Sequence, residues 1–286
     1  MSAFGRIDSL EVLTQMLKKP DYQPAEDLFI AEADGNVIGY INIIPELKIG
    51  RVVLDYLVHP DFYNGSLPND LINQAVERAQ KLGVKVAHMN ISPAELATEE
   101  LLLNLGFTLT CRSNELRLDL RKANIDTDIK YNLQYCHFKH GEEEKLVKIQ
   151  NLCFNDNWGY NPCDIEHIMW WLNFRRNCLE DVIFAYKENR MVGYCWTGIN
   201  CGYNRKGEIK GRIYMMGVDP EYKNCGFGRE LILKGISYIA NKGRDIIDLT
   251  VNSDNDAAVA LYSSVGFQKV ESTLWYEKTI EPQEPE

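Results

Sequence analysis

The chain repeats itself, and the repeat limits what it can fold into more than any other feature. Residues 27–40 read Asp-Leu-Phe-Ile-Ala-Glu-Ala-Asp-Gly-Asn-Val-Ile-Gly-Tyr, and residues 181–194 read Asp-Val-Ile-Phe-Ala-Tyr-Lys-Glu-Asn-Arg-Met-Val-Gly-Tyr. Each is a pair of β-prone runs around a polar turn, the pattern of a β-hairpin. Asp27 and Asp181 stand 154 positions apart, as do Gly39 and Gly193. Further on, Val58-His59-Pro60 matches Val218-Asp219-Pro220 and Gly106-Phe107 matches Gly266-Phe267, now 160 apart, so the second copy carries six extra residues, most simply in the loop 200–211. A repeat held over a full domain length implies one fold used twice. The polar run Arg121–Asp128 breaks the apolar period between the copies. The expected organisation is therefore a domain at 1–122, a linker at 123–128, a second domain at 129–280 and a disordered, proline-broken tail at 281–286.

Within the second copy, Gly211–Phe267 alternates strand and helix patterns. Gly211–Val218 is a β-prone run that Asp219-Pro220 stops, because proline cannot donate to a continuing ladder. Lys223-Asn224-Cys225-Gly226-Phe227-Gly228-Arg229 follows and leads into apolar residues at helical spacing, Leu231 to Ile239. Gly226 and Gly228 allow positive φ and close approach of an anion to the amides. The first turn of a helix has unpaired N–H groups and the positive end of the dipole, a ready phosphate site. Ile246–Val251 reads as another strand, and Asn252–Asp256 supplies capping side chains for the helix Ala257–Ser264, closed by Gly266.

Val218-Asp219-Pro220 with Lys223-Asn224-Cys225-Gly226-Phe227-Gly228, followed by Asn255, Ala258, Leu261-Tyr262 and Gly266-Phe267, resembles the GCN5-related N-acetyltransferase (GNAT) superfamily, whose members bind acetyl-CoA. One departure is Lys223, where the family more often has Arg or Gln; lysine keeps a donor and loses the planar fork. The resemblance implies an α/β (α+β) protein of two tandem GNAT-like domains, each a mixed, mostly antiparallel twisted sheet flanked by helices. It implies that Met216, Gly217, Val218, Lys223, Asn224, Cys225, Gly226, Phe227, Gly228, Arg229, Asn255 and Tyr262 bind the cofactor. The strand end at Gly217-Val218 corresponds to a β-bulge in the family, and the Val218 amide would face the thioester carbonyl. Tyr262 is the expected general acid, since a phenol of pKa ~10 is protonated at neutral pH; a core tyrosine is the alternative. Asn255 is expected on the cofactor's arm or, equally, as a helix cap. The loop Asn155–Pro162 borders the acceptor site in the superfamily, which makes Trp158 and Tyr160 candidates for substrate contact, while packing accounts for Trp170 and Trp171.

The first copy lacks the chemistry. At the offset of 160, Ser66 stands for Gly226, Pro68 for Gly228, Tyr63 for Lys223, Asn69 for Arg229, Glu95 for Asn255 and Leu102 for Tyr262. Pro68 removes a donor and Glu95 puts negative charge beside the expected anion. Tandem copies with a degenerate first half resemble the mycothiol synthase type, in which a strand-start Glu serves as base. That position here is Arg212, and Glu208 is the nearest substitute, with a solvated loop acid as the alternative. The expected activity is transfer of acetyl from acetyl-CoA to the primary amine of a small molecule. Acetylation of a protein or peptide N-terminus, and a non-catalytic acyl-CoA-binding module, are the other readings.

Composition narrows the partners. A net charge of −10 argues against nucleic acid or an anionic membrane, which are bound by neutralising phosphate. No apolar run approaches the ~20 residues of a membrane span and no leader pattern opens the chain, so the expectation is a cytoplasmic protein, monomer or homodimer. Eight cysteines show no Cys-x-x-Cys pair and five histidines show no ligand spacing, so reduced thiols and no metal are expected.

Overall fold

A computed structural model describes residues 10–123, 133–173, 178–199 and 210–282. The contacts gather into two compact units, one of residues 1–112 with 273–286 and one of residues 113–272. These are not the two sequence copies. Each copy gives its last strand to the other unit, so the division runs through those strands and not through 123–128.

In the first unit, helix α1 (Leu10–Met16) and the short α2 (Pro24–Asp27) precede strands β1 (Leu28–Ala33), β2 (Asn36–Glu46) and β3 (Arg51–Val58). Helix α3 (Leu67–Lys81), β4 (Val86–Ile91) and α4 (Leu96–Asn104) follow. The fifth strand of this unit's sheet is β11 (Gln268–Thr279), which runs antiparallel to β4 with Leu274 opposite Ile91 and Thr279 opposite Val86. The chain enters the second unit along β5 (Thr108–Asp119) and continues through β6 (Gln134–His137), α5 (Glu143–Phe154), α6 (Ile165–Asn173), β7 (Val182–Lys187) and β8 (Arg190–Gly198). Then come β9 (Gly211–Val218), α7 (Phe227–Asn241), β10 (Ile246–Asn252) and α8 (Asp256–Ser264). The strand order in the first unit is β1-β2-β3-β4-β11, and in the second β5-β10-β9-β8-β7-β6. β5 runs antiparallel to β10, with Ser113 opposite Asn252 and Asp119 opposite Ile246.

Both expected hairpins form. Asp34 and Gly35 turn the first with φ of 49° and 74°, and Glu188 and Asn189 turn the second with 49° and 66°, the double positive φ that a tight two-residue turn requires. Helix α5 begins at Glu143, after Gly141 takes φ +89° outside the helix. Asp164 caps α6, its Oδ1 accepting from the His167 amide at 3.0 Å. Along α6, Ile168, Leu172 and His167 are buried, while Ile165 is 43% exposed. The linker 124–128, most of the inserted loop and the tail 283–286 lie outside the described residues.

In the second unit α7 and α8 cover one sheet face through Leu231, Ile232, Ile236, Tyr262 and Val265, against Leu116, Leu118, Ile213 and Leu249. On the other face α5 and α6 pack Leu146, Ile149, Ile168 and Leu172 against Phe184, Tyr194 and Trp196. Gly217 sets how closely α5 approaches β9: a Cβ there would lie 2.5 Å from Cys153 Cβ and 3.1 Å from the Phe154 ring.

Two stability changes follow. Gly217→Ala should lower stability by ~1–3 kcal/mol through overpacking against α5, read as a depressed melting temperature; an unchanged melting curve would refute the close contact. Tyr276, almost fully buried on β11 and bonded to Glu99, belongs to the first unit's core. Tyr276→Ala should cost ~3–5 kcal/mol, and hydrogen exchange should show the loss in β4 before α7 and β10; the reverse order would contradict the strand assignment.

Candidate active site

Most of the residues expected to bind the cofactor, Met216 to Arg229, follow the point where β9 leaves β10. The two strands pair in parallel only at Gly211–Ile247, Arg212–Asp248 and Ile213–Leu249. Past that point β9 stays with β8 alone. The register of β8 and β9 shifts so that Trp196 faces Met215 and Thr197 faces Ile213, leaving Tyr214 as an extra residue. The bulge therefore lies at Tyr214, four residues before the expected Val218. Its physical signature is in the packing: Tyr214 and Met215 both contact the α5–α6 core, while Ile213 and Met216 contact the α7–α8 core. An extra residue puts two consecutive side chains on one face and bends the strand away from its neighbour.

The bend frees one edge of β9. The Asp219 amide donates to Val192 O on β8 at 2.8 Å. Main-chain groups alternate sides along a strand, so Met216 and Val218 direct their N–H groups the opposite way, into the wedge that β10 has left. The Val218 N–H therefore points into the wedge, although the bulge lies four residues earlier.

Beyond β9, Pro220–Tyr222 forms a single 3-10 turn capped by Asp219, whose Oδ1 accepts from the Glu221 amide at 3.0 Å. Asn224 at φ +64° and Gly226 at φ +81° then reverse the chain into α7. Among the described residues no main-chain oxygen accepts from the amides of residues 224–228. A Cβ at Gly226 would meet nothing within 4 Å, so the space over these amides is open. Gly228 differs from expectation: it has ordinary helical φ, and its missing Cβ lets α7 approach α8, with Leu261 Cδ2 3.3 Å from where that Cβ would be. Phe227 stacks on Tyr222 with centroids 6.1 Å apart, and Lys187 Nζ lies 5.6 Å from the Phe227 centroid. Lys223 and Cys225 are exposed on the loop. Arg229 turns from the loop and donates to Ser264 Oγ at 2.9 Å, at the far end of α8.

Tyr262 is buried within the α7–α8 core, its ring 6.0 Å from that of Phe267. Burial, with a smaller contribution from Cys195, pushes the phenol above its ordinary range. The group is therefore protonated throughout the neutral range. Asn255 caps α8, its Oδ1 accepting from the Ala258 amide at 3.1 Å; the amide NH2 remains for other partners. On the opposite face Tyr160 donates to Asn151 Oδ1 at 2.7 Å and stacks near Phe154, which anchors the α5–α6 loop. Trp158 on the same loop is 41% exposed. Cys153 beneath Gly217 has its thiol pushed up to about 12 by burial and by Asp219. Glu208 lies outside the described residues. Trp275, near the end of the second copy, is carried by β11 into the first unit, where it lies opposite Asn90.

Sequence reasoning missed a polar cluster at the apex of the wedge. Arg212 donates to Glu115 through both terminal nitrogens, at 2.7 and 3.1 Å, and to Thr250 Oγ1 at 2.5 Å. Thr250 donates in turn to Glu115 Oε2 at 2.6 Å. Beside it Asp248 accepts two bonds from Arg117, at 2.6 and 2.7 Å, and one from Lys210 at 3.0 Å. Burial alone would raise Asp248, but these cations overcome it and hold the carboxyl below its usual range. The only sequence signal was Arg212 standing where an acid was expected. Among the described residues no group of His, Cys, Asp and Glu is arranged to hold a metal, and no helix is long and apolar enough to cross a membrane.

The Acetyltransferase (GNAT) family pattern matches the chain at residues 5–107 and again at 144–267. The mycothiol acetyltransferase of Amycolatopsis mediterranei is 27% identical over 274 residues, 90% of this chain and 89% of that protein. That of Thermobispora bispora is 34% identical over 233 residues, 78% of this chain and 75% of its own. Among solved structures, a tandem GNAT protein from the clavulanic acid biosynthesis pathway superposes with a TM-score of 0.70 at 14% identity, covering 96% of this chain and 88% of that one. The chain belongs to the GNAT family of acetyltransferases, carries two such domains in tandem, and is an acyl-CoA N-acyltransferase.

Proposed function

We propose that the second unit transfers acetyl from acetyl-CoA to the primary amine of a small molecule by direct attack. The observation that carries this reading is the continuity of two features: a cradle of unpartnered amides at residues 224–228, and a freed strand edge with the Met216 and Val218 amides turned into the same wedge. Amides at a helix start suit a diphosphate. A free strand edge suits an amide-bearing arm, which can pair with it as an added strand. Relatives named mycothiol acetyltransferase favour a small-molecule acceptor.

Acetyl-CoA supplies an activated thioester, and the chain supplies the rest. The Val218 N–H is aimed to donate to the carbonyl oxygen as negative charge develops there. Lys223 adds positive charge at the rim of the diphosphate cradle, and Gly226 keeps that cradle open. Tyr262 serves as general acid to the departing thiolate. Its raised pKa keeps the proton on the phenol until the C–S bond breaks, and the uphill transfer is offset when the attacking amine passes a proton back to the phenolate. Trp158 and Tyr160 flank the acceptor side, Trp158 by contact and Tyr160 by holding the loop.

The first unit serves as scaffold. Its β3 and β4 also part, after four parallel pairs ending at Leu54–Met89. There, however, Tyr63 hydrogen-bonds Thr98 at 2.7 Å across the ends of α3 and α4, and Pro68 removes a first-turn amide. The residue at the position of Lys223 is thus bonded to α4 in the first unit, where Lys223 is exposed on its loop in the second.

Tyr262→Phe should reduce thiol release with an amine acceptor by ~100-fold or more, while the dissociation constant for acetyl-CoA measured by calorimetry stays unchanged. Full turnover in the variant would remove Tyr262 from the mechanism. A wild-type protein that binds acetyl-CoA without releasing thiol to any amine would remove the transferase reading.

A further inference from the structure

Glu115 belongs to the last strand of the first sequence copy, yet it lies in the second unit at the apex of the wedge. It is opposite Thr250 across β5 and β10, and Thr250 directly follows Leu249, where β10 last pairs with β9. Strand exchange decides which residue occupies this place. At the offset of 160 the second copy's own last strand carries Trp275, so only the first copy's strand brings a carboxylate here.

The bonding of that carboxylate is incomplete. Oε1 accepts from Arg212 Nη1, and Oε2 accepts from Arg212 Nη2 and Thr250 Oγ1. An ionised carboxylate offers about four acceptor positions; among the described residues three are taken, and the fourth is on Oε1. The side chain is 23% exposed, so that position is reachable. Of the nearby cations among the described residues, Arg117 and Lys210 are bonded to Asp248, and Arg212 is bonded to Glu115 itself.

We propose that Glu115 Oε1 receives the ammonium group of the acceptor amine and holds it at the apex, with Arg212 as the positioning residue that fixes the carboxylate. This rests on the reading of the second unit as an amine acetyltransferase. The site chemistry is thereby balanced. One ammonium proton passes through Oε1 to water, the amine lone pair forms the C–N bond, and the C–S bond breaks. Tyr262 protonates the sulfur and regains a proton from the new amide nitrogen, so the sum is ammonium plus thioester giving amide, thiol and one released proton. The second unit's acceptor site is complete only with a strand from the first copy.

The test is the full-length Glu115→Gln variant, assayed for thiol release from acetyl-CoA with whichever of ethanolamine, cadaverine and glucosamine the wild type uses fastest. Hydroxylamine, which is uncharged at neutral pH, is run in parallel, with the enzyme-free cleavage of acetyl-CoA by hydroxylamine subtracted so that only enzyme-dependent release is compared. The KM for the cationic amine should rise ~10–100-fold, the loss of a charge-assisted bond, while hydroxylamine-dependent release and acetyl-CoA affinity stay unchanged. Because glutamine leaves Arg212 with a weaker partner, the double variant Glu115→Gln with Arg212→Met removes both charges and should show the same selective rise. An unaltered KM for the cationic amine, or an equal loss with hydroxylamine, overturns the assignment. Absence of thiol release by the wild type with every amine overturns the transferase reading, and this role of Glu115 with it.

Discussion

The parting of β9 from β10 is the feature on which the rest of the second unit depends. A sheet in which every strand edge is paired has no room for a ligand in its plane. One extra residue at Tyr214 is enough to break the ladder after Ile213 and Leu249. The break is held open from both faces. Tyr214 and Met215 are packed under α5 and α6, Met216 and Val218 under α7 and α8, and Gly217 lets α5 press directly on the strand. Closing the wedge would expose one of these half-buried sets, each side chain contributing a part of the ~1.5–3 kcal/mol that full burial is worth.

The two units share a backbone plan and differ in the side chains at its opening. Both have the parted strands, the 3-10 turn after the proline and the helix that follows. They differ in what fills the opening. Gly226 at φ +81° begins α7 with open space above it, whereas Ser66 in right-handed helical φ begins α3 with proline next to its first residue. Tyr63 then bonds Thr98 across the gap. A few side chains exchange an open, glycine-started turn for one tied by a side-chain hydrogen bond, without altering the backbone topology.

Strand exchange ties the copies together. β5 and β11 alternate in the same way, with Leu116 and Leu118 buried in one unit and Leu274 and Tyr276 in the other. Either strand satisfies the same hydrophobic face in the same antiparallel arrangement, so the exchange costs little in burial. It does alter the chemistry, because the polar faces differ: Glu115 and Arg117 are directed to the second unit, Trp275 and Glu277 to the first, where Glu277 bonds His88 at 2.7 Å.

The sequence by itself determined the repeat, both hairpins, the glycine-bearing loop ahead of α7 and the cap of α8. These are local features, fixed by residue types within a turn or two of one another. Asn255 bonds an amide three residues on, and Gly226 is the one residue type that takes φ +81° without strain. Tertiary structure alone decided which copy's last strand joins which sheet, since two strands of equal pattern offer the chain no one-dimensional preference. It also decided the place of the bulge, because Tyr214 shows itself as the extra residue only through its pairing with β8. Arg212, Thr250 and Glu115 come from three strands and both copies. Their meeting at the wedge is a product of sheet order, which no spacing in the sequence records.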